Sequence, residues 1–282
     1  MLDQKTVKKI SDFVYQKPRT IQEVAVLLNK NWRTADSYVG RIIEQTGNLD
    51  VRTFRGGTRG ALKIVFWSNL EKIHSSEFQE YLFKQIDLGK EKLDFSPFDI
   101  YQYVDGKKRN AFLEKQEDEA TEVEQNLIGI LRSCKKELFI FSGNLSWANI
   151  KQDNTEIISI MEELARNNVQ IRIVANVDLT SLDNVKKVLS INNKIGKEVI
   201  EIRHRKQPLR SFIVDNKIAR FKEIKNPSEY KKGDRKKTFI FYEIFDQEWV
   251  EWLQKIFWSF FRAGIDAKKR IKDIETIQKI KP

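Results

Sequence analysis

The sequence predicts an α+β protein with a small N-terminal unit of helices and a β-hairpin, a helical connector, and a larger C-terminal α/β domain. Two observations support this prediction. Residues 20–67 contain two stretches in which apolar residues recur at helical spacing. Two stretches rich in β-branched and aromatic residues follow, on either side of a Gly-rich tip. From residue 122 onward, short apolar stretches alternate with amphipathic ones, which is typical of strands and helices packed in layers.

The two N-terminal helices have recognisable start signals. Thr20 and Glu23 have the spacing of a capping box, in which each side chain bonds the backbone of the other residue. Asn31 is a good N-cap for a second helix, whose apolar residues then recur every three or four positions. The β-branched and aromatic stretches 51–54 and 61–67 predict the two strands of a hairpin.

This order of elements is that of a winged helix-turn-helix, whose second helix enters the major groove of double-stranded DNA. The expected DNA contacts from that helix are Trp32, Arg33, Thr34, Ser37, Tyr38 and Arg41. Arg33, Thr34 and Ser37 are the candidates for reading bases, and Tyr38 is a candidate for a phosphate contact. The hairpin, or wing, is expected to contribute Arg52, Arg55, Thr58 and Arg59.

The charge of the chain favours a polyanionic partner. The 282 residues carry a formal net charge of +11. Residues 1–67 contain 12 Lys and Arg against 6 Asp and Glu, as expected for a surface that meets a phosphate backbone. Helix-turn-helix modules also bind proteins, and exposed arginines are often ordinary solvated charges, so both alternatives stay open.

Other functional classes find little support in the sequence. The single cysteine, Cys134, cannot form an internal disulfide and is expected to pack as a small residue. The chain has two histidines, His74 and His204, and together with Cys134 they are too few to make the usual zinc ligand sets. The sequence also indicates no cofactor. No apolar run long enough to cross a membrane and no signal peptide are evident, so we expect a soluble cytoplasmic protein without a membrane partner.

Charge and pattern also place the expected domain boundaries: a winged helix at 1–70, an acidic helical connector at 71–121 and an α/β domain at 122–282. Residues 68–124 contain 8 basic and 14 acidic side chains, which sets the connector apart. Helices are expected at 75–88 and from Ala111 through Leu131. The connector either pairs with another copy of the chain or is a solvated helical segment.

The α/β domain is expected to alternate between the two kinds of element. The expected strands are 138–142, 169–177, 199–205, 211–214, 217–222 and 238–244, and the expected helices are 157–168, 181–193 and 247–264. The last helix carries apolar residues on nearly every face, so either a second copy or the connector helices should cover it. Because winged helices often bind two half-sites, we expect a homodimer.

The segment PLRSFIVD, residues 208–215, resembles the active motif of the phospholipase D family, His-x-Lys-x-x-x-x-Asp on an apolar strand. Asp215 stands at the motif's Asp, but Pro208 replaces the His and Arg210 replaces the Lys. The family's reaction passes through a phosphohistidine, so this chain lacks the nucleophile at that position. The resemblance implies a phospholipase D-like α/β domain without the catalytic His, and we assign no catalytic residue.

An anion-binding pocket is a further expectation for this domain. The candidate ligand-binding residues are Arg203, Arg205, Arg210 and Asp215, with Arg220 and Lys222 on the next strand. Arginine suits the bidentate recognition of phosphate or carboxylate. The alternatives are strand-edge charges that discourage aggregation, a further DNA-contacting surface and, for Asp215, a structural ion pair.

A winged helix, a helical connector and a phospholipase D-like domain without its histidine together resemble the TrmB-type transcriptional regulators, which are mostly archaeal. The resemblance implies a C-terminal domain that binds a small effector, typically a sugar, and alters DNA affinity. The basic C-terminal domain makes an anionic effector at least as good an expectation. Two other functions stay open: a nuclease or phosphodiesterase targeted to DNA by its winged helix, and a non-specific structural DNA-binding protein.

Overall fold

The structure, a computed structural model, describes residues 2–46, 49–55, 61–67, 75–115, 127–152, 154–225 and 238–280. The tip of the wing, with Thr58 and Arg59, lies outside these residues. So does the segment 116–126, where the second connector helix was expected to continue.

The N-terminal part is a winged helix, as predicted. Its elements are α1 (Gln4–Gln16), β1 (Arg19–Thr20), α2 (Ile21–Leu28), α3 (Trp32–Thr46), β2 (Leu49–Arg55) and β3 (Ala61–Trp67). The capping box at the start of α2 is present: Thr20 Oγ1 accepts from the Glu23 backbone N at 3.1 Å, and the Glu23 carboxylate accepts from the Thr20 backbone N at 2.7 Å. The C-cap of α2 is Asn29, whose left-handed backbone (φ 55°) makes the tight turn toward α3.

The small sheet of the winged helix is buried on both faces. Its described strands pair antiparallel in the order β1-β3-β2. Leu49 and Val65 pack with the apolar residues of α1, α2 and α3. Successive side chains of a strand point to opposite faces, so Phe54, Leu62 and Ile64 pack instead in the core of the rest of the chain. The winged helix is therefore docked on the C-terminal domain through its hairpin.

The remainder of the described chain begins with α4 (Ser75–Leu88), α5 (Phe98–Tyr101), β4 (Arg109–Lys115), α6 (Leu127–Arg132), β5 (Glu137–Phe141), β6 (Lys151–Gln152) and β7 (Thr155–Glu156). It continues with α7 (Ile157–Arg166), β8 (Gln170–Ala175), α8 (Leu182–Ile195), β9 (Ile200–His204), β10 (Ser211–Val214), β11 (Ile218–Lys225), β12 (Thr238–Ile244), α9 (Gln247–Ala263), β13 (Ile265–Asp266) and α10 (Ala267–Ile280).

Within the described ranges, eight of these strands form one mixed sheet in the order β13-β9-β8-β5-β10-β11-β12-β4. The neighbours β5, β8 and β9 run parallel, and β10, β11, β12 and β4 pair antiparallel. Helices α6, α7, α8 and α10 cover one face of the sheet. Helices α4, α5 and α9, with the wing hairpin, pack on the other face. The predicted α+β fold, with an N-terminal winged helix and a layered α/β domain, is confirmed.

The helix expected from Ala111 through Leu131 is wrong at its start and correct at its end, where residues 127–131 belong to α6. Residues 109–115 form β4, the edge strand of the large sheet, with Phe112 opposite Phe241 of β12. The two rings stack with centroids 5.1 Å apart. Cross-strand packing of this kind outweighs the local helical spacing, because strand preference is decided by long-range neighbours.

The aromatic helix α9 is covered from within the chain. Phe257 stacks on Phe139 of β5 with ring centroids 4.8 Å apart. Phe260 lies 6.4 Å from Phe83 of α4, measured between ring centroids. The many apolar residues of α9 are therefore buried against the sheet on one side and against the connector helix α4 on another.

Candidate functional site

The N-terminal turn of α3 presents the residues expected to contact DNA. Trp32 is 51% exposed, and Arg33, Ser37 and Arg41 are exposed along the same helix. The Arg33 guanidinium lies over the Trp32 ring, 5.7 Å from its centroid. These side chains are available to a groove, while the opposite face of α3 holds the helix in the core.

Thr34 and Tyr38, two of the residues expected to contact DNA, also interact with other residues of the winged helix. Asn31 Oδ1 accepts from both the backbone N (2.9 Å) and Oγ1 (3.0 Å) of Thr34, which confirms Asn31 as the N-cap and occupies the Thr34 hydroxyl. Tyr38 packs partly against the core of the winged helix. The Thr34 hydroxyl is therefore less available than the exposed side chains of Arg33 and Ser37 for the expected base contacts.

An ion pair ties the wing to α3. Lys63 Nζ of β3 lies 2.6 Å from Asp36 Oδ2 of α3, and both side chains are partly exposed. Lys63 thereby compensates a carboxylate on the helix that is expected to face phosphates. The pair also fixes the hairpin relative to α3.

The wing residues expected to contact DNA differ in where they lie. Arg52 lies over the ring of Tyr101, 5.1 Å from its centroid, and so faces the C-terminal domain. Arg55 is the last residue of β2, at the base of the wing tip. Thr58 and Arg59 belong to the tip and lie outside the described residues.

A cleft of about 380 Å³ opens between the winged helix, the segment 90–97 and the end of the large sheet. Lys17 and Glu23 line it from the winged helix. Arg210 and Lys222 line it from the sheet. Arg220 also lines it, is 2% exposed and lies 4.9 Å and 4.8 Å from the ring centroids of Phe112 and Phe241. Of the residues expected for an anion site, Arg210, Arg220 and Lys222 therefore line this cleft.

The winged-helix wall of the cleft is electrostatically linked to the sheet. Burial and the nearby cations Arg19 and Lys225 lower the pKa of Lys17, whose Nζ donates to the Leu93 carbonyl at 3.3 Å. Burial alone would raise the pKa of Glu23, but Lys225 and hydrogen bonds from Thr20 lower it. Glu23 therefore both caps α2 and interacts with a charge on β11.

Arg210 is held against the main chain at the centre of the cleft. Its Nη1 donates to the carbonyls of Leu209 (2.6 Å) and Gln207 (3.3 Å), and burial lowers its pKa. A Cβ at Gly143 would lie 2.6 Å from Arg210 Nη2, so a larger residue there would displace the guanidinium. Gln207 is itself buried and donates to the Ser142 carbonyl at 2.9 Å.

Two residues that line the cleft each have a buried polar atom without a hydrogen-bond partner in the part of the chain that the structure describes: Trp147 Nε1 and Ser211 Oγ. Trp147 is 7% exposed and Ser211 is 2% exposed. A buried donor left without an acceptor is costly, and native proteins rarely keep one without a reason. Sequence reasoning missed both residues, since neither belongs to a motif.

The other expected ligand-binding residues lie elsewhere. Arg203 is 3.9 Å from Asp266 and lies over the Phe261 ring. Arg205 Nη2 donates to Asp87 of α4 at 2.5 Å. Neither lines the cleft, so the expected grouping of Arg203, Arg205, Arg210 and Asp215 into one site is corrected: of these four, Arg210 alone lines it.

Asp215 has a structural position at the far end of β10 from Arg210. Its carboxylate accepts from the backbone N of Lys135 (2.6 Å), Lys136 (2.8 Å) and Glu137 (3.0 Å). Burial raises its pKa, but these hydrogen bonds outweigh burial and lower it. Asp215 thus fastens the start of β5 by hydrogen bonds to main-chain N–H groups, where the sequence suggested an ion pair.

His204 and Cys134, the two residues considered as nucleophiles, both form contacts within the fold. His204 Nδ1 accepts from the Val177 backbone N at 2.9 Å, and burial lowers its pKa. Burial, with the adjacent Asp215, raises the pKa of the Cys134 thiol to about 12. Among the described residues, no group of three or more His, Cys, Asp or Glu side chains is arranged to hold a metal ion, and no helix is long and apolar enough to span a membrane.

Comparison with known proteins yields distant structural likenesses. No family model and no curated protein matches the chain. Nuc of Salmonella typhimurium, a phospholipase D family member, is 12% identical, with 56% of this chain and 98% of that chain covered and a TM-score of 0.39. NucT from Helicobacter pylori is also 12% identical, with 56% and 99% covered and a TM-score of 0.40.

A third solved structure spans nearly the whole chain. TrmBL2, described as an archaeal chromatin protein with a novel mode of DNA binding, is 16% identical, with 94% of each chain covered and a TM-score of 0.37. At these identities and TM-scores, none of the likenesses assigns an activity or a residue role to this chain.

Proposed function

We propose that this protein is a double-stranded DNA-binding transcriptional regulator. The observation that carries the proposal is the exposed N-terminal turn of α3, with Trp32, Arg33 and Ser37, on a helix whose other face is locked into a core. The net positive charge of residues 1–67 supports a phosphate-backbone partner. Arg33 and Ser37 would read base edges, and Arg41 and Arg55 would contact phosphates.

The C-terminal domain is, in this proposal, a non-catalytic domain for effector binding or dimerisation. Pro208 and Arg210 stand where the phospholipase D motif has its His and Lys, and the backbone N–H of Val177 occupies Nδ1 of His204. A homodimer would place two recognition helices on two half-sites, as winged helices commonly do.

Binding-site selection tests the proposal. A library of random duplexes is incubated with the full chain at fixed salt, and the bound duplexes are sequenced. We expect enrichment of one consensus, with two copies of a half-site if the protein binds as a dimer. Equal recovery of all sequences, with affinity that falls steeply as salt rises, would instead indicate a non-specific DNA-binding protein.

A further inference from the structure

We propose that a second pocket, between the winged helix and helices α4 and α5, binds a small organic cation with an alkylated ammonium group, through aromatic rings and the carboxylate of Asp99. This aromatic pocket has a volume of about 280 Å³. It shares only Lys17 and Pro18 with the cleft around Arg210. Binding of such a cation does not depend on the proposed DNA-binding function.

Aromatic rings from two parts of the fold line the aromatic pocket. Tyr15 of α1 and Trp67 of β3 meet edge to face, with ring centroids 5.2 Å apart. Phe78 and Tyr81 belong to α4, with ring centroids 6.4 Å apart, and Tyr103 follows α5. Tyr15 is 67% exposed, Tyr81 is 54% exposed and Tyr103 is 36% exposed. The pocket therefore presents ring surface that a ligand can reach.

These rings lack the cations that cover aromatic rings elsewhere in the fold. Arg205 lies over Phe260, 4.0 Å from the ring centroid, and Arg172 lies over Trp258 at 5.1 Å. Among the described residues, no Arg or Lys lies over any aromatic ring of the pocket. The faces of Trp and Tyr rings attract cations, and groups of such rings bind quaternary ammonium ions.

Asp99 supplies a carboxylate to the same pocket. Its Oδ1 accepts from Gln102 Nε2 at 3.4 Å, and it forms no ion pair with a residue that the structure describes. Burial and the nearby Glu223 raise its pKa to about 8, although Lys225 and Lys17 act to lower it. A cation in the pocket would favour the ionised carboxylate, because an opposite charge nearby stabilises the charged form.

The charges of the pocket lining favour a cation. Glu77 adds an exposed carboxylate to that of Asp99. Lys17 also lines the pocket, but its Nζ donates to the carbonyl of Leu93 at 3.3 Å, and Leu93 lines the neighbouring cleft instead. Within the described lining, two carboxylates thus stand against one ammonium group, whose bonded partner lies outside the pocket.

The lining selects an alkylated ammonium group over a metal ion. Val14, Pro18 and Leu82 add apolar surface to the aromatic rings. A hard metal ion requires several oxygen ligands, and among the described residues no group of acidic side chains is arranged to hold one. Alkyl groups on nitrogen would pack on the apolar surface while the positive charge meets the rings and Asp99.

The position of Asp99 links cation binding to pH. Because an ionised Asp99 attracts the cation, affinity should rise as the pH rises toward the pKa of this carboxyl near 8. The titratable groups that act on Asp99 or are acted on by it are Glu223, Lys225, Lys17, Tyr81, Tyr103 and Tyr242. The pKa of each of these three phenols is raised, that of Tyr103 to about 12, so the phenols stay protonated over this range.

Titration calorimetry on the full chain tests the proposal. The probes are tetramethylammonium chloride and choline chloride. Dimethylbutanol, the isostere of choline with carbon in place of nitrogen, is the neutral control, and potassium chloride controls for ionic strength. The variants are Asp99→Asn, Tyr15→Leu and Tyr81→Leu. Two exposed residues outside the pocket provide matched controls, Asp183→Asn and Phe245→Leu, and circular dichroism checks that each variant is folded.

We expect at least one of the two cations to bind wild type, and dimethylbutanol to bind about tenfold more weakly or not at all. Asp99→Asn should weaken the cation by about tenfold, since it removes the negative charge. Tyr15→Leu and Tyr81→Leu should each weaken it by about two- to fivefold, since leucine keeps apolar bulk but lacks the ring. The two control variants should bind as wild type does.

The pH dependence provides a second readout. From about pH 6.5 to about pH 8.5, the wild-type affinity for the cation should rise by about tenfold, and Asp99→Asn should show a flat profile. A rise that persists in Asp99→Asn would overturn the role of Asp99. Failure of both cations to bind folded wild type, equal binding of dimethylbutanol, or unchanged affinity in both tyrosine variants would overturn the proposed site.

Discussion

Phe54 of the wing packs edge-to-face on Tyr242 of the large sheet, with ring centroids 6.1 Å apart and an interplanar angle of 84°. Phe54 also contacts the rings of Phe98 and Tyr101, at 6.3 Å and 6.4 Å. The wing hairpin is thus part of the core of the C-terminal domain as well as of the winged helix. The orientation of α3 is consequently set by the large sheet.

Replacing Phe54 tests this docking. Phe54→Ala should lower the free energy of unfolding by about 3–5 kcal/mol, because it removes a buried ring and leaves a cavity. It should also weaken binding of the selected duplex, since α3 is then less well oriented. Urea unfolding and fluorescence anisotropy measure the two effects. Thr53→Ala, at the adjacent exposed position of the same strand, is the control and should change neither much.

The Lys63–Asp36 pair predicts opposite effects of its two members on DNA affinity. Asp36→Asn removes a negative charge from α3 and should strengthen duplex binding by about two- to fivefold at low salt. Lys63→Gln leaves that charge uncompensated and should weaken binding by a similar factor. Anisotropy titrations at two salt concentrations measure this. Asp183→Asn, exposed on α8, is the charge-matched control, and an equal gain there would argue against α3 as the DNA-facing helix.

Asp215 is predicted to act on stability and not on ligand or DNA binding. Asp215→Ala should cost about 2–3 kcal/mol, because three backbone N–H groups lose a charged acceptor. Asp215→Asn should cost less, since Asn tolerates the left-handed backbone (φ 47°) and keeps an acceptor oxygen. Urea unfolding measures both variants. Loss of duplex binding by a folded Asp215→Asn chain would show a role beyond structure.

The pH dependence of Asp215 follows from the direction of its shift. Its folded pKa is lowered, so its contribution is present above the unfolded pKa near 3.8 and is lost as pH falls through the folded value. Asp215→Asn should therefore flatten the acid limb of the stability profile.

Asp99 predicts a pH dependence of the opposite sign. Burial and the nearby Glu223 raise its pKa from 3.8 to about 8, so the folded protein holds this proton more tightly than the unfolded chain. Stability from this group is fully present below the unfolded pKa and declines as pH rises toward the folded pKa. Asp99→Asn should remove this decline between pH 5 and 8, as measured by urea midpoints across that range. The exposed-site variant Asp12→Asn should retain the wild-type slope.

Local patterns in the sequence predicted most elements correctly. The correct predictions are those that depend on neighbours along the chain. They are the capping box at Thr20 and Glu23, the N-cap at Asn31, and the alternation of strands and helices after residue 137. Strand β4 was predicted wrongly because its place is decided by pairing with β12, more than a hundred residues away. Helices α1 and α10 were not anticipated.

The cleft shows the limit of sequence reasoning more clearly. Arg210 was found because it stands in a degenerate motif, but Lys17, Trp147 and Ser211 come from separate segments that only the fold brings together. Asp215 shares the motif with Arg210 yet lies at the other end of the same strand. A strand of four residues separates two positions that the linear motif presents as one site.

If α3 reads DNA sequence, removing the Arg33 side chain should reduce the preference for the selected duplex over a scrambled one. The measurement is the dissociation constant for the selected duplex and for a scrambled duplex, by anisotropy at fixed salt, for wild type, Arg33→Ala and the exposed control Arg166→Ala on α7. Arg33→Ala should weaken the selected duplex by about 1–3 kcal/mol and weaken the scrambled duplex less, whereas Arg166→Ala should match wild type. Unchanged discrimination between the two duplexes in Arg33→Ala would show that Arg33 does not read bases.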